Sequence, residues 1–65
     1  DMKTAAHWYT EAANRSDSDA AFRLGLMYEE GRGVAKDVNE ASRLYAKSTN
    51  ADAKARLAKI AQDGH

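Results

Sequence analysis

The sequence predicts an all-α fold of stacked, antiparallel helix hairpins, on three observations. Proline is absent and alanine is abundant, and apolar residues fall at helical spacing. The chain also nearly repeats itself. Ala5, Trp8, Tyr9 and Asn14 return 36 residues later as Ala41, Leu44, Tyr45 and Asn50, and Ala20, Leu24, Met27 and Gly31 return after 33 as Ala53, Leu57, Ile60 and Gly64. Self-similarity at this period marks helical hairpins that bury their apolar faces against one another. The change of period places a three-residue deletion between Asn50 and Ala53.

The first helix is expected over about residues 2–14, where Ala5, Trp8, Tyr9, Ala12 and Ala13 form an i, i+3, i+4, i+7, i+8 stripe. Trp8 is expected to pack between the two helices of the first hairpin, so that Trp8→Ala costs roughly 3 to 5 kcal/mol. Ser16-Asp17-Ser18-Asp19 offers several helix N-caps, with Ser16 and Asp19 resembling a capping box. The second helix then runs through Ala20, Leu24, Met27 and Tyr28 to about Glu30. It stops at Gly31, which tolerates the left-handed conformation after a helix end.

After the loop Gly31-Arg32-Gly33-Val34-Ala35-Lys36, Asp37 and Glu40 form a D-x-x-E capping box for a third helix over about 38–49, with Val34 placed to pack back on a neighbouring helix. That helix repeats the first through Ala41, Leu44 and Tyr45. The fourth, about 51–63, repeats the second through Ala53, Leu57 and Ile60 and stops at Gly64.

Composition excludes several functional classes. Ten basic residues balance ten acidic ones, which removes the electrostatic case for nucleic acid or an anionic membrane surface. No apolar run approaches the roughly 20 residues of a membrane span, so no membrane insertion is expected. The absence of cysteine removes disulfides and thiol chemistry. A domain of 65 residues buries only about 60% of its unfolded surface, which favours a piece of a longer array.

Groups that resemble reactive sites have simpler readings. His7 and Glu11 lie i, i+4, yet a metal needs a third and fourth ligand, and none is near in sequence. Gly31-Arg32-Gly33 lacks the strand and third glycine of a dinucleotide loop and the Gly-Lys-Ser/Thr of a P-loop. Glu29, Glu30 and Asp37 are expected to be a solvated helix end rather than an acid/base pair. A catalytic triad would rest on His7 alone. No catalytic residue, metal or cofactor is assigned. The pairs Glu11/Arg15, Asp19/Arg23 and Asp52/Arg56, each i, i+4 with the acid first, account for much of the charge as helix-surface pairs.

The string Ala20-x-x-x-Leu24-Gly25-x-Met27-Tyr28-x-x-Gly31-x-Gly33-Val34-x-Lys36-Asp37-x-x-x-Ala41-x-x-x-Tyr45-x-Lys47, with Trp8-Tyr9-x-x-Ala12-Ala13 before it, resembles the Sel-one-like repeat (SLR), a relative of the tetratricopeptide repeat. The resemblance covers nearly the whole chain. It implies a right-handed α/α solenoid that binds protein or peptide on its concave face in adaptor and assembly roles, commonly in the bacterial periplasm or cell envelope. It divides the chain into the second helix of a preceding repeat (2–14), one full repeat (19–49) and a terminal helix (51–65). That last helix departs from the motif: Phe22, Gly25, Leu26 and Tyr28 are matched by Ala55, Ala58, Lys59 and Ala61, as suits a cap. The first helix, without an upstream partner, is expected to leave an apolar patch uncovered.

Arg23, Leu26 and Glu30 fall at i, i+3, i+7, as do their equivalents Arg56, Lys59 and Asp63. By resemblance this stripe lines the concave face, and the expected function is a non-catalytic interaction module for a protein or peptide. A purely structural cap is the alternative. Some cysteine-rich relatives are associated with β-lactam hydrolysis, but this chain has neither their paired cysteines nor a serine with lysine at S-x-x-K spacing.

Overall fold

Helix follows helix without an intervening strand through the residues that the computed structural model describes, which are 1–63, with Asp63 described by its place in the last helix alone. The elements are α1 (Met2–Asn14), α2 (Ser18–Glu30), α3 (Val38–Lys47) and α4 (Ala51–Asp63). Each packs on the one before it, and three-residue connections fold α1 onto α2 and α3 onto α4 as hairpins. Gly64 lies outside the described residues.

Local capping explains the boundaries. The Asp1 carboxylate accepts from Thr4 N–H at 2.9 Å to open α1. At its other end Ser16 takes the left-handed conformation with φ 69°, and Asp17 N–H reaches back to the Ala12 carbonyl at 3.1 Å. This six-to-one bond is the Schellman closure, here with serine where glycine is usual. Ser16 therefore ends α1 and cannot cap α2. The cap is Asp17, whose carboxylate accepts from Ala20 N–H at 3.1 Å, so the expected Ser16/Asp19 capping box does not form.

Gly31 closes α2 in the left-handed region with φ 69°, as expected, and Arg32 N–H bonds the Met27 carbonyl at 2.9 Å. The loop is then pinned by Asp37 N–H to the Tyr28 carbonyl at 2.9 Å. Gly33 is required by position as well as by its φ of 79°, because a Cβ there would run into the Met2 carbonyl oxygen at the start of α1. Asp37 caps α3 by accepting from Glu40 N–H at 3.1 Å. The capping box is one-sided, because Glu40 turns its carboxylate to Arg43.

The three-residue deletion lies inside α3, which ends at Lys47 and not near Thr49. Asn50 is consequently not the counterpart of Asn14. It stands 33 residues after Asp17 and does the same work, its side-chain oxygen accepting from Asp52 N–H at 2.8 Å at the start of α4. The connection before it is tied to α2. Ser48, only 4% exposed, donates to the Ser18 carbonyl at 2.9 Å and accepts from Asn50 N–H at 3.1 Å, while Ser18 Oγ accepts from Thr49 N–H at 2.7 Å.

Two apolar clusters fill the interior. Ala6, Leu24, Met27 and Leu44 form one, joined by Ala5, Tyr9, Ala13, Tyr28 and Val34. Ala41, Tyr45 and Ala53 form the other, joined by Phe22, Leu26, Tyr28, Leu57 and Ile60. Tyr28 belongs to both and links the hairpins.

Trp8 contradicts expectation: it is 61% exposed. Successive residues on a helix are about 100° apart, and α1 turns Ala6, Tyr9 and Ala13 toward α2, which leaves Trp8 on the neighbouring face. Its repeat equivalent Leu44 is buried by Ala6, Leu24 and Met27 of the hairpin before it. Among the described residues no such hairpin covers Trp8.

Candidate interaction face

Charge inside the helix stack is organised around one phenol. Tyr45 is fully buried on α3, its ring lying over Gly25 of α2 and tilted 6.1 Å from Phe22. Its hydroxyl donates to Glu29 Oε1 at 2.6 Å, and Arg56 Nη1 from α4 approaches Glu29 Oε2 at 3.4 Å. Three helices thus meet at Glu29. Burial first, and then the Glu29 carboxylate, hold the Tyr45 phenol well above its ordinary value. The expectation of a solvated Glu29 is therefore corrected: the carboxylate is half-buried and bound on both sides.

Arg56 is correspondingly less available than the stripe expectation supposed, and it is not paired with Asp52. None of the three expected i, i+4 pairs forms. Arg56 goes to Glu29, Glu11 lies 3.6 Å from His7, and Asp19 accepts weakly from the Asn50 side-chain amide at 3.5 Å. For Arg56 and Asp19 a tertiary partner displaced the local one, and for Glu11 another residue one turn away did, because an exposed helix pair contributes only a few tenths of a kcal/mol.

The three α2 members of the stripe do come together. Arg23, Leu26 and Glu30 line a shallow hollow of about 300 Å³ against Met2, Ala5 and Tyr9 of α1, with Met27 at its floor and Arg32 at its edge. Leu26 is half-buried and Met27 buried, while Arg23 and Glu30 are exposed. Arg32 pairs with Glu30 at 3.7 Å. Arg23 has no carboxylate partner, and the Tyr9 hydroxyl no hydrogen bond, among the described residues. Lys59 stands exposed on α4, away from this hollow, and the Asp63 side chain lies outside the described residues. Sequence spacing along α2 found three of the residues that line the hollow. Met2, Ala5 and Tyr9 belong to another helix, and only the hairpin crossing brings them in.

Ala20, Leu24, Met27, Ala41 and Tyr45 are buried, Tyr28 and Leu57 half-buried, and Gly31, Gly33 and Asp37 shape the loop. Trp8 lines a second shallow hollow with Glu11, Ala12, Arg15 and Asp17, its ring edge-on to His7 at 5.5 Å.

Comparison with known proteins places this architecture. The Sel1 repeat family model matches residues 1–17 and 18–52. The chain is 42% identical over 57 residues to the ERAD-associated E3 ubiquitin-protein ligase component HRD3A of Arabidopsis thaliana, covering 88% of this chain and 8% of that one. It is 46% identical over 56 residues to human protein sel-1 homolog 2, covering 82% and 8%. With the DAP3-binding cell death enhancer 1 of Rattus norvegicus it shares 40% identity over 48 residues, covering 74% and 9%. The crystal structure of a Sel1 repeat protein from Oxalobacter formigenes superposes with a TM-score of 0.91 at 34% identity, over 95% of this chain and 27% of that one. The chain thus spans less than a tenth of the curated relatives' length.

Proposed function

Because this chain belongs to the Sel1 repeat family, whose helical repeats serve protein interaction, we propose that it is a non-catalytic scaffold segment that holds a protein or peptide partner in the α1/α2 hollow. The carrying observation is the convergence of Leu26, Arg23 and Glu30 with Met2, Ala5 and Tyr9 around one open, apolar-floored depression. Such a mixture of apolar floor and polar rim suits recognition more than chemistry. Two relatives bear names of association, one as a ligase component and one as a DAP3-binding protein, which supports the same reading here.

The exposed face of α4, with Lys54, Ala55, Ala58, Lys59 and Ala61 turned to solvent, favours a second role for that helix as the cap of a stack. Both roles fit one molecule, since the hollow and the cap lie on different helices.

A displayed random-peptide selection on the chain tests the binding role. Enriched peptides should lose binding to Leu26→Asp and to the milder Leu26→Ala, with circular dichroism checking that each variant is folded because Leu26 also packs on the second cluster, and keep binding to Lys59→Glu. Peptides that ignore Leu26→Asp but lose binding with Trp8→Ala would move the interaction to the other face of α1.

A further inference from the structure

The α1/α2 hollow has a chemical bias that its shape alone does not convey. Its floor is apolar, made by Ala5, Leu26 and Met27. Of its charged lining, Glu30 lies 3.7 Å from Arg32, while Arg23 has no carboxylate partner among the described residues, so the lining carries one positive charge in excess. Arg23 would ordinarily meet Asp19 one turn before it, but Asp19 is directed to Asn50. The Tyr9 hydroxyl, on the opposite wall, is a second donor with no acceptor among the described residues. Two cations against one carboxylate, with a free hydroxyl beside an apolar floor, favour an anionic group next to an apolar one.

Resting on the proposed binding role, the geometry points to a specific partner chemistry: a peptide segment that seats an apolar side chain on Leu26 and Met27 and places a neighbouring Asp or Glu carboxylate between Arg23 and the Tyr9 hydroxyl. The hollow is shallow and open to solvent, so a chain can lie across it. We therefore assign the carboxylate to a side chain and not to a chain terminus.

Fluorescein-labelled hexapeptides with one leucine flanked by Glu, Gln or Lys, each made with an amidated and with a free carboxyl terminus, provide the probe, read by fluorescence polarisation. The amidated Glu peptides are expected to bind about tenfold tighter than their Gln counterparts, the scale of one charge-assisted hydrogen bond. Arg23→Gln should abolish that preference, Arg23→Lys retain part of it, and Tyr9→Phe reduce it, with circular dichroism unchanged in all three. Equal binding of Glu and Gln peptides, a preference that survives Arg23→Gln, or a requirement for the free terminus would overturn the assignment. In those cases sensitivity to Leu26→Asp would still leave the hollow as a binding site. Absence of binding by every peptide would overturn both readings.

Discussion

The ring of Tyr45 occupies the space where any side chain at position 25 would begin: a Cβ placed on Gly25 would lie 2.6 Å from Tyr45 Cε1 and 2.8 Å from Cδ1. Helix α2 carries a glycine in mid-helix, at a cost in propensity of about 1 kcal/mol, because α3 must approach that closely. The ring cannot retreat, since it is fully buried and its hydroxyl is held by Glu29.

Gly25→Ala should therefore destabilise the chain in spite of its better helix propensity. Overpacking of this kind costs about 1 to 3 kcal/mol. Urea denaturation should show a lower midpoint with an unchanged slope. A midpoint raised by the substitution would mean that α2 and α3 lie farther apart than described.

Tyr45→Phe keeps the ring and removes the hydrogen bond to Glu29. The expected loss is about 1.5 to 3 kcal/mol near neutrality, the value of a bond to a charged acceptor. Double-mutant analysis with Glu29→Gln should show the two effects to be less than additive, because they report one interaction.

The same phenol gives an alkaline signature. In the unfolded chain Tyr45 ionises near its ordinary value of about 10, while in the folded chain burial and the Glu29 carboxylate hold it above that. The folded state then retains a proton that the unfolded state releases, so stability falls as pH rises past about 10. Urea midpoints followed from about pH 9 to about pH 11 should drop more steeply for the natural chain than for Tyr45→Phe. Parallel curves would remove Tyr45 from the account.

Trp8→Ala should change stability by no more than about 0.5 kcal/mol, as for other surface positions, and native Trp8 emission should be that of indole in water. A loss of several kcal/mol would restore the buried position that the helical stripe implied.

Ser16→Gly should stabilise. Ser16 holds φ at 69° without help from its side chain, and the left-handed region costs a non-glycine residue about 1 to 2 kcal/mol. Part of that gain is lost to the greater freedom of glycine in the unfolded chain, which leaves an expected rise of about 0.5 to 1 kcal/mol. Thermal denaturation would read it directly.

Local rules made most of the fold legible. The bounds of α1 and α4, the stop at Gly31 and the cap at Asp37 each depend on residues within one turn, and each is where the periodicity and capping chemistry put it. The errors came where one residue could serve two ends or two partners. Ser16 was needed to end α1, so Asp17 capped α2. Asn50 matched Asn14 by identity and Asp17 by work. Arg56 had an acid one turn away and took another across the stack. At the hollow, the α2 stripe was legible because i, i+3, i+7 lie on one face. Tyr9 was not, because nothing local says that a residue of another helix, packed on the core, also lines the hollow that holds Arg23.

The gap over Gly25 occurs once. Thirty-three residues on, the equivalent position is Ala58, and the counterpart of Glu29 is Gln62. A helix bearing the Tyr45 arrangement would meet on α4 a methyl group in place of the gap and an amide in place of the carboxylate. On the α1 side, Trp8 stands uncovered, and Tyr9 has the register of Tyr45 without a glycine beneath it among the described residues. The assembly is therefore directional. Its α1 end carries an exposed indole and a tyrosine in the Tyr45 register, whereas its α4 end lacks both the gap and the carboxylate that seat such a ring.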